Sequence, residues 1–145
     1  MSLYLYAVVY QTRLLVVVAI KQRYPGHARQ AALVASQCRA AALLTRYVMV
    51  VDEDIDIWDS NEILWALCTR TDPAKDIDIL RRCWSNPIDP IIPPSERGFQ
   101  SRGIIDACRP YEWMSEFPKV SGASAELRAK VTEKFGASLA GKKKN

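Results

Sequence analysis

The sequence predicts an α/β fold: a small open, mostly parallel sheet in the order strand, helix, strand, helix, strand, then a proline-rich arm and a C-terminal helix. Three observations predict it. Two short apolar runs, Arg13–Lys21 (RLLVVVAIK) and Tyr47–Val51, have the length and composition of strands buried on both faces. Two segments with helical periodicity follow them, one rich in Ala and one amphipathic. Pro25-Gly26 and Asp72-Pro73 punctuate the chain where strands and helices must turn.

Residues 1–12 form an unassigned lead. Together with the first strand they read LYLYAVVYQTRLLVVVAI, which invites a membrane reading. Gln11, Thr12 and Arg13 interrupt it, whereas a bilayer helix needs roughly twenty apolar residues with few charges. It also lacks the basic start of a signal peptide. Val and Tyr dominate it and favour extended backbone, so two strands, or a ragged lead and one strand, are expected, and no membrane span. From His27 to about Leu44 the chain predicts one helix. Its small residues Ala28, Ala31, Ala35, Cys38 and Ala42 recur at helical spacing and can lie close on a sheet. Tyr47–Val51 is the second strand.

Ser60–Arg70 predicts the next helix, with Asp59 and Glu62 at capping-box spacing and Ile63/Leu67 and Leu64/Cys68 as its i,i+4 apolar pairs. Lys75–Trp84 alternates Ile77 and Ile79 with Asp76 and Asp78, which predicts a third, less buried strand. The proline-rich arm Ser85–Ser101 is expected to be irregular, and long ordered loops of this kind often carry function or an interface. The last element is SAELRAKVTEKFG. Ser124 suits its cap, Glu126 its first turn and Gly136 its end. Leu127, Val131 and Phe135 form a narrow stripe that needs a partner surface. Residues 137–145 read as a disordered basic tail.

The chain has 145 residues and a net charge of +4, and Lys142, Lys143 and Lys144 supply three of the positive charges. The body is therefore nearly balanced, and no basic stripe with interleaved aromatics points to nucleic acid. Cys38, Cys68, Cys83 and Cys108 are widely spaced, no C-x-x-C pair exists, and His27 is the single histidine, which argues against a zinc site. The cysteines, Cys38 and Cys68 on apolar helix faces among them, are expected to be small buried hydrophobes in a reducing, cytoplasmic compartment.

Six carboxylates, Asp52, Glu53, Asp54, Asp56, Asp59 and Glu62, crowd into eleven positions at the end of the second strand. Asp59 and Glu62 suit a helix start. Asp54 and Asp56 alternate with Ile55 and Ile57 and should face solvent. Asp52 and Glu53 lie at the C-terminal edge of a strand, where open α/β sheets place ligands. Structure and capping, a ligand or metal role, and catalysis all fit this run. D-E-D-I-D lacks the glycine and spacing of a calcium loop. His27 follows Pro25-Gly26 and suits a turn or cap. No serine or cysteine has a nucleophile motif around it, and Gly98 and Gly103 form no phosphate-loop pattern.

The stretches IKQRYPGHARQAALVA, YVMVVDEDIDIWDSNEILWALCTRTDP and WSNPIDPIIPP resemble the C-terminal region of the UbiD family of decarboxylases, and RGIIDACRPYEWMSEFPKV with the final helix resembles the end of the same family. The resemblance covers residues 13–136, as one UbiD-like C-terminal α/β domain, and leaves residues 1–12 outside it. It implies a carboxy-lyase that uses prenylated FMN and a divalent metal to remove or add CO2 on aromatic or α,β-unsaturated carboxylic acids. It also implies that the flavin, the metal and the proton-transfer residues belong to a middle domain with no counterpart here. No catalytic residue, no metal ligand and no cofactor held by this chain alone are therefore expected. Asn86 and Ile88, in the SNPIDP stretch, match the family's mobile wall of the substrate pocket. Arg39 lies near a position where family members can carry a lysine that reaches the flavin phosphate. The implied partners are copies of the chain or a flavin-domain chain, with an aromatic acid bound only in the complex. A non-catalytic oligomerisation module, or a truncated family member, is the alternative. By the same resemblance the acidic run is a strand-to-helix signature, with Asp52 or Glu53 pairing with Arg29, Arg46 or Arg70.

Overall fold

The computed structural model describes residues 14–121 and 124–140. The chain divides into two units, Met1–Ser115 and Glu116–Asn145. The lead, residues 1–12, and the last five residues of the chain lie outside the described residues.

The first unit is an α/β layer built on a four-stranded sheet. Its elements are β1 (Leu15–Ile20), α1 (His27–Gln37), α2 (Arg39–Ala42), β2 (Tyr47–Asp52), α3 (Ser60–Arg70), β3 (Ile77–Trp84) and β4 (Phe99–Ala107). Pro94–Glu96 and Tyr111–Trp113 add single 3-10 turns. The sheet order is β1-β2-β4-β3. β1, β2 and β4 run parallel, and β3 pairs antiparallel with β4 at the edge. The fold class is thus the one expected, a mostly parallel α/β sheet, but the third parallel strand is β4 rather than the Lys75–Trp84 segment.

Sequence reading missed β4 because its polar residues break the apolar run. Gln100 and Arg102 share a sheet face with Ile104, and Gly103 interrupts the other. The arm is accordingly shorter than expected, since its last residues, Phe99 to Ser101, begin β4. The Ala-rich helix is also not continuous. It stops at Cys38, whose backbone is extended (φ −66°, ψ 149°), and restarts as α2. Helix propensity favours continuing here, and a buried side chain from β4, described below, overrides it.

Two apolar layers sandwich the sheet. On one face Val16, Val18, Val48, Val50 and Ile104 meet the alanines of α1, which lie close because they lack bulk. On the other, Val17, Met49, Val51 and Ala107 meet Ile63 and Ala66 of α3 together with Ile55 and Ile57. Ile55 and Ile57 are buried and Asp54 and Asp56 exposed, as expected, but the segment turns rather than runs extended: Ile55 N donates to Asp52 O at 3.1 Å and Asp59 N to Asp56 O at 3.0 Å. Asp59 caps α3, accepting from Asn61 N at 2.8 Å. The reciprocal half of the expected capping box is shifted, because Glu62 accepts from Asp56 N rather than from Asp59.

The cysteine expectation is corrected for Cys38 and Cys68, which are exposed, whereas Cys108 is buried. All four are free thiols. His27 does take a turn position: its N–H donates to Tyr24 O at 3.2 Å, and its ring stacks on Tyr24.

In the second unit, α4 spans Ala125–Ala140. Ser124 Oγ accepts from Leu127 N at 3.2 Å, as its expected capping role requires. The helix runs past Gly136, which does not end it. Leu127, Val131 and Phe135 are exposed.

Candidate functional site

The two ends of the parallel strands carry the polar chemistry of the first unit. At the C-terminal end the acidic run closes into a buried ion network. Asp52 is 2% exposed. Its Oδ2 accepts from Arg70 Nη1 at 3.0 Å, from Arg109 N at 2.8 Å and from Arg109 Nε at 3.1 Å, and its Oδ1 accepts from Gln22 Nε2 at 2.9 Å. Arg70, also buried, binds Asp54 in a two-pronged pair at 2.9 Å for each prong. That guanidinium holds the Asp54 carboxyl below its ordinary value against the opposing effect of burial.

Asp52 is thus saturated by cations and amides of its own chain, as buried charges must be. Its partner Arg70 is one of those expected for it. Arg29 pairs instead with Asp78, Arg46 with Asp89, and Glu53 with Lys21. Among the described residues no group of three or more His, Cys, Asp or Glu is placed to hold a metal ion.

At the N-terminal end the organising residue is Arg102, 1% exposed. It reaches from β4 through the break between α1 and α2. Its Nη1 donates to Ser36 O and its Nη2 to Ala42 O; Nε donates to Thr45 O at 3.0 Å and Nη2 to Trp84 O at 2.6 Å. The last carbonyls of a helix are both unpaired and partly negative, so a guanidinium there satisfies hydrogen bonding and dipole together. Burial pushes the Arg102 pKa down from its ordinary value.

The proline-rich arm starts and ends on this platform. Ser85 N–H donates to Gly98 O at 2.8 Å and closes the arm into a loop. Asn86 N–H donates to Leu43 O at 2.9 Å, which sets the arm beside the end of α2. Arg46 pairs with the buried carboxylate of Asp89, and Asp89 Oδ1 accepts from Ile91 N at 3.2 Å. Arg46 holds the Asp89 carboxyl below its usual value, with burial opposing. Asn86 Oδ1 accepts from Ile88 N at 3.0 Å, the local turn that Asn-Pro sequences favour. The arm therefore has a fixed internal frame, and that frame presents Ile88 outward at 73% exposure.

Of the residues singled out by sequence, Asn86 is half-buried in this frame, Ile88 is at its tip, and Arg39 opens α2 as an exposed cation. The Asn86–Leu43 bond brings the arm and α2 to one end of the sheet. Sequence reasoning missed Arg102, Asp89 and Arg109. Arg102 had a signal, a charged residue in register with core Ile104; Asp89 and Arg109 had none until the fold paired them.

Comparison with known proteins covers the same stretch. The family model for the 3-octaprenyl-4-hydroxybenzoate carboxy-lyase C-terminal domain matches residues 3–107, so it takes in most of the lead and stops at the end of β4. The phenolic acid decarboxylase of Sedimentibacter hydroxybenzoicus is 35% identical over 95 residues, 66% of this chain and 19% of that relative's length. Among solved structures, the UbiD-class enzyme HmfF from Pelotomaculum thermopropionicum in complex with FMN superposes with a TM-score of 0.67 at 29% identity, over 79% of this chain and 24% of that one. The 3,4-dihydroxybenzoic acid decarboxylase AroY of Klebsiella pneumoniae gives 0.66 at 30% identity, over 84% and 26%. The sheet that carries Arg102 and the acidic network is the one this comparison identifies, and the chain belongs to the UbiD C-terminal domain family.

Proposed function

We propose that this chain is the C-terminal part of a UbiD-type carboxy-lyase acting on aromatic or α,β-unsaturated carboxylic acids, and that it works only together with a flavin-binding domain. The observation that carries the reading is the arm: a loop tied at both ends and latched by Arg46–Asp89, holding an apolar residue, Ile88, out of the fold. An exposed apolar side chain held on a hydrogen-bonded frame is suited to closing a pocket formed elsewhere. In this reading Ile88 and Asn86 form one wall of the substrate pocket. Ile88 packs on the apolar body of the acid, and the Asn86 side chain sets the turn that aims it.

The residues present fit the cofactor in part. Arg39 is exposed, has no ion-pair partner among the described residues, and carries a guanidinium suited to a phosphate group. Prenylated FMN, once bound by the assembled enzyme, supplies the chemistry that releases CO2. The chain's own contribution is to bind the phosphate end, to orient the acid and to exclude water. Its assembly is read as an oligomer or a complex with a flavin-domain chain in the cytoplasm. Among the described residues no helix is long and apolar enough to cross a membrane.

The test is reconstitution. The purified chain mixed with prenylated FMN and a cinnamate or hydroxybenzoate is expected to release no CO2, and turnover by the chain alone refutes the reading. In the reconstituted complex Ile88→Ala is expected to raise KM several-fold with a smaller change in kcat, since it removes binding common to ground and transition states. A second reading, a non-catalytic interaction module, is favoured by the exposed Leu127, Val131 and Phe135 of α4. A monomer by light scattering at high concentration, with no relative co-eluting, excludes it.

A further inference from the structure

β3 is irregular at the edge of the sheet. Its pairing to β4 sets Leu80 against Arg102 and resumes with Cys83 against Gln100, so Arg81 and Arg82 together stand opposite Ser101. This is a bulge, one extra residue on one strand. In a regular strand two neighbours point to opposite faces. Here Arg81 and Arg82 line the same cleft, about 420 Å³ in volume, with Phe99 and Ser101 of β4 and Ser95 and Glu96 of the arm. Arg82 holds φ 56° and, among the described residues, is the one non-glycine with a positive φ. A left-handed backbone strains a residue that carries a Cβ, and such strain clusters at functional sites.

The arrangement has two costs, the strained backbone and the repulsion of two guanidiniums that share one cleft. Neither Arg81 nor Arg82 forms an ion pair among the described residues, although Glu96 borders the cleft. Protection of the sheet edge accounts for a bulge and a charge, but not for two cations turned into one cleft. Arg82 lies over the Phe99 ring at 4.7 Å. Stacking occupies the face of a guanidinium and fixes its plane, which leaves the N–H edge free for an acceptor. The hydroxyls of Ser95, from the arm, and Ser101, from β4, add donors to the same cleft.

We infer that the bulge builds a binding site for a phosphate group, held between Arg81 and Arg82 with Ser95 and Ser101 donating to it. A phosphate monoester carries a charge of about −1.5 to −2 at pH 7 and accepts hydrogen bonds from several directions, so it offsets both cations at once. A carboxylate is planar, carries a single charge and is matched by one arginine fork. Free phosphate and a phosphate monoester share this chemistry. Pro94–Glu96 is the 3-10 turn of the arm, so a bound phosphate ties the arm to β3.

Isothermal titration of the full chain with inorganic phosphate and with phenyl phosphate, at constant ionic strength in chloride, tests the site. Saturable binding of a single phosphate per chain is expected. Tighter binding of phenyl phosphate identifies a monoester as the ligand, and equal or weaker binding identifies free phosphate. Arg81→Gln and Arg82→Gln are each expected to weaken binding on the order of tenfold, and Glu96→Gln to tighten it by a smaller factor. Arg128→Gln, on α4 in the second unit, changes the net charge equally and is expected to leave the affinity unchanged. Arg82→Gly separates the site from the scaffold. It relieves the left-handed strain, so Tm without phosphate should be at least as high as in the parent while affinity falls as for Arg82→Gln. No saturable binding, an equal loss in Arg128→Gln, or full affinity in the two arginine-to-glutamine variants of β3 refutes the site.

Discussion

Asp52→Asn tests whether the C-terminal network is a structural ion site. The substitution keeps the shape and removes the charge. The new amide must then face some of the four donors that Asp52 accepts, from Arg70, Arg109 and Gln22. The side chain of Arg70 is 1% exposed, so its charge cannot be rehydrated without opening the fold. Breaking a buried pair by removing one partner typically costs about 3–5 kcal/mol. Arg70 keeps its two-pronged bond to Asp54, whose side chain is 39% exposed, which puts the expectation at the lower end, about 3 kcal/mol. For a domain of this size that is a fall in Tm of roughly 10 °C. Urea unfolding followed by circular dichroism reads it directly, with the slope unchanged if the mutant folds to the same state. Adding Arg70→Met removes the stranded charge, so the double variant should lose less than the sum of the two single losses. A single-variant loss under about 1 kcal/mol, or strict additivity in the double, refutes the network as a buried pair.

Asp89→Asn removes the charge that latches the arm to Arg46, and limited proteolysis is expected to cut within residues 85–98 of the variant several-fold faster than in the parent; equal rates mean the prolines alone hold the loop. Gly103 has no room for a side chain, because a Cβ there comes within 2.8 Å of Tyr47 Cδ1. Gly103→Val should therefore cost about 1–3 kcal/mol, and Tyr47→Ala in the same chain should recover part of it; no recovery shows that the clash lies elsewhere. Burial pushes the Asp106 carboxyl up, with Asp76 and Asp52 adding to it. A raised folded pKa in an acid makes stability fall as pH rises from the unfolded value through the folded one. Asp106→Asn, which can still accept from Cys108 N, is thus expected to stabilise at pH 7, with the gain vanishing as pH drops to about 3.8; a gain that persists at lower pH contradicts this. Thiol titration of the native chain should modify Cys38 and Cys68 fast and leave Cys108 untouched until unfolding, since burial raises its pKa and shields it; early loss of Cys108 refutes its burial.

Much of this protein is legible in the local order of its residues. The Val-rich runs of β1 and β2, the start and end of α3 and the buried Ile55 and Ile57 follow from composition and period, because those signals act within a few residues. The family, too, is legible as ordered stretches of chain. What the sequence by itself does not determine are matters of pairing at a distance. β4 becomes a strand because β2 and β3 hold it on both sides, although Arg102 and Gly103 spoil its local pattern. The Ala-rich helix breaks at Cys38, where the Arg102 guanidinium from β4, a residue remote in sequence, takes the Ser36 and Ala42 carbonyls. The acidic run is ambiguous as a string, and only the tertiary structure decides between ligand site and strut, by bringing Gln22, Arg70 and Arg109 onto Asp52. Sequence determines the faces of elements, since these depend on near neighbours; which buried charge meets which partner depends on the order of strands, and that is settled when the sheet assembles.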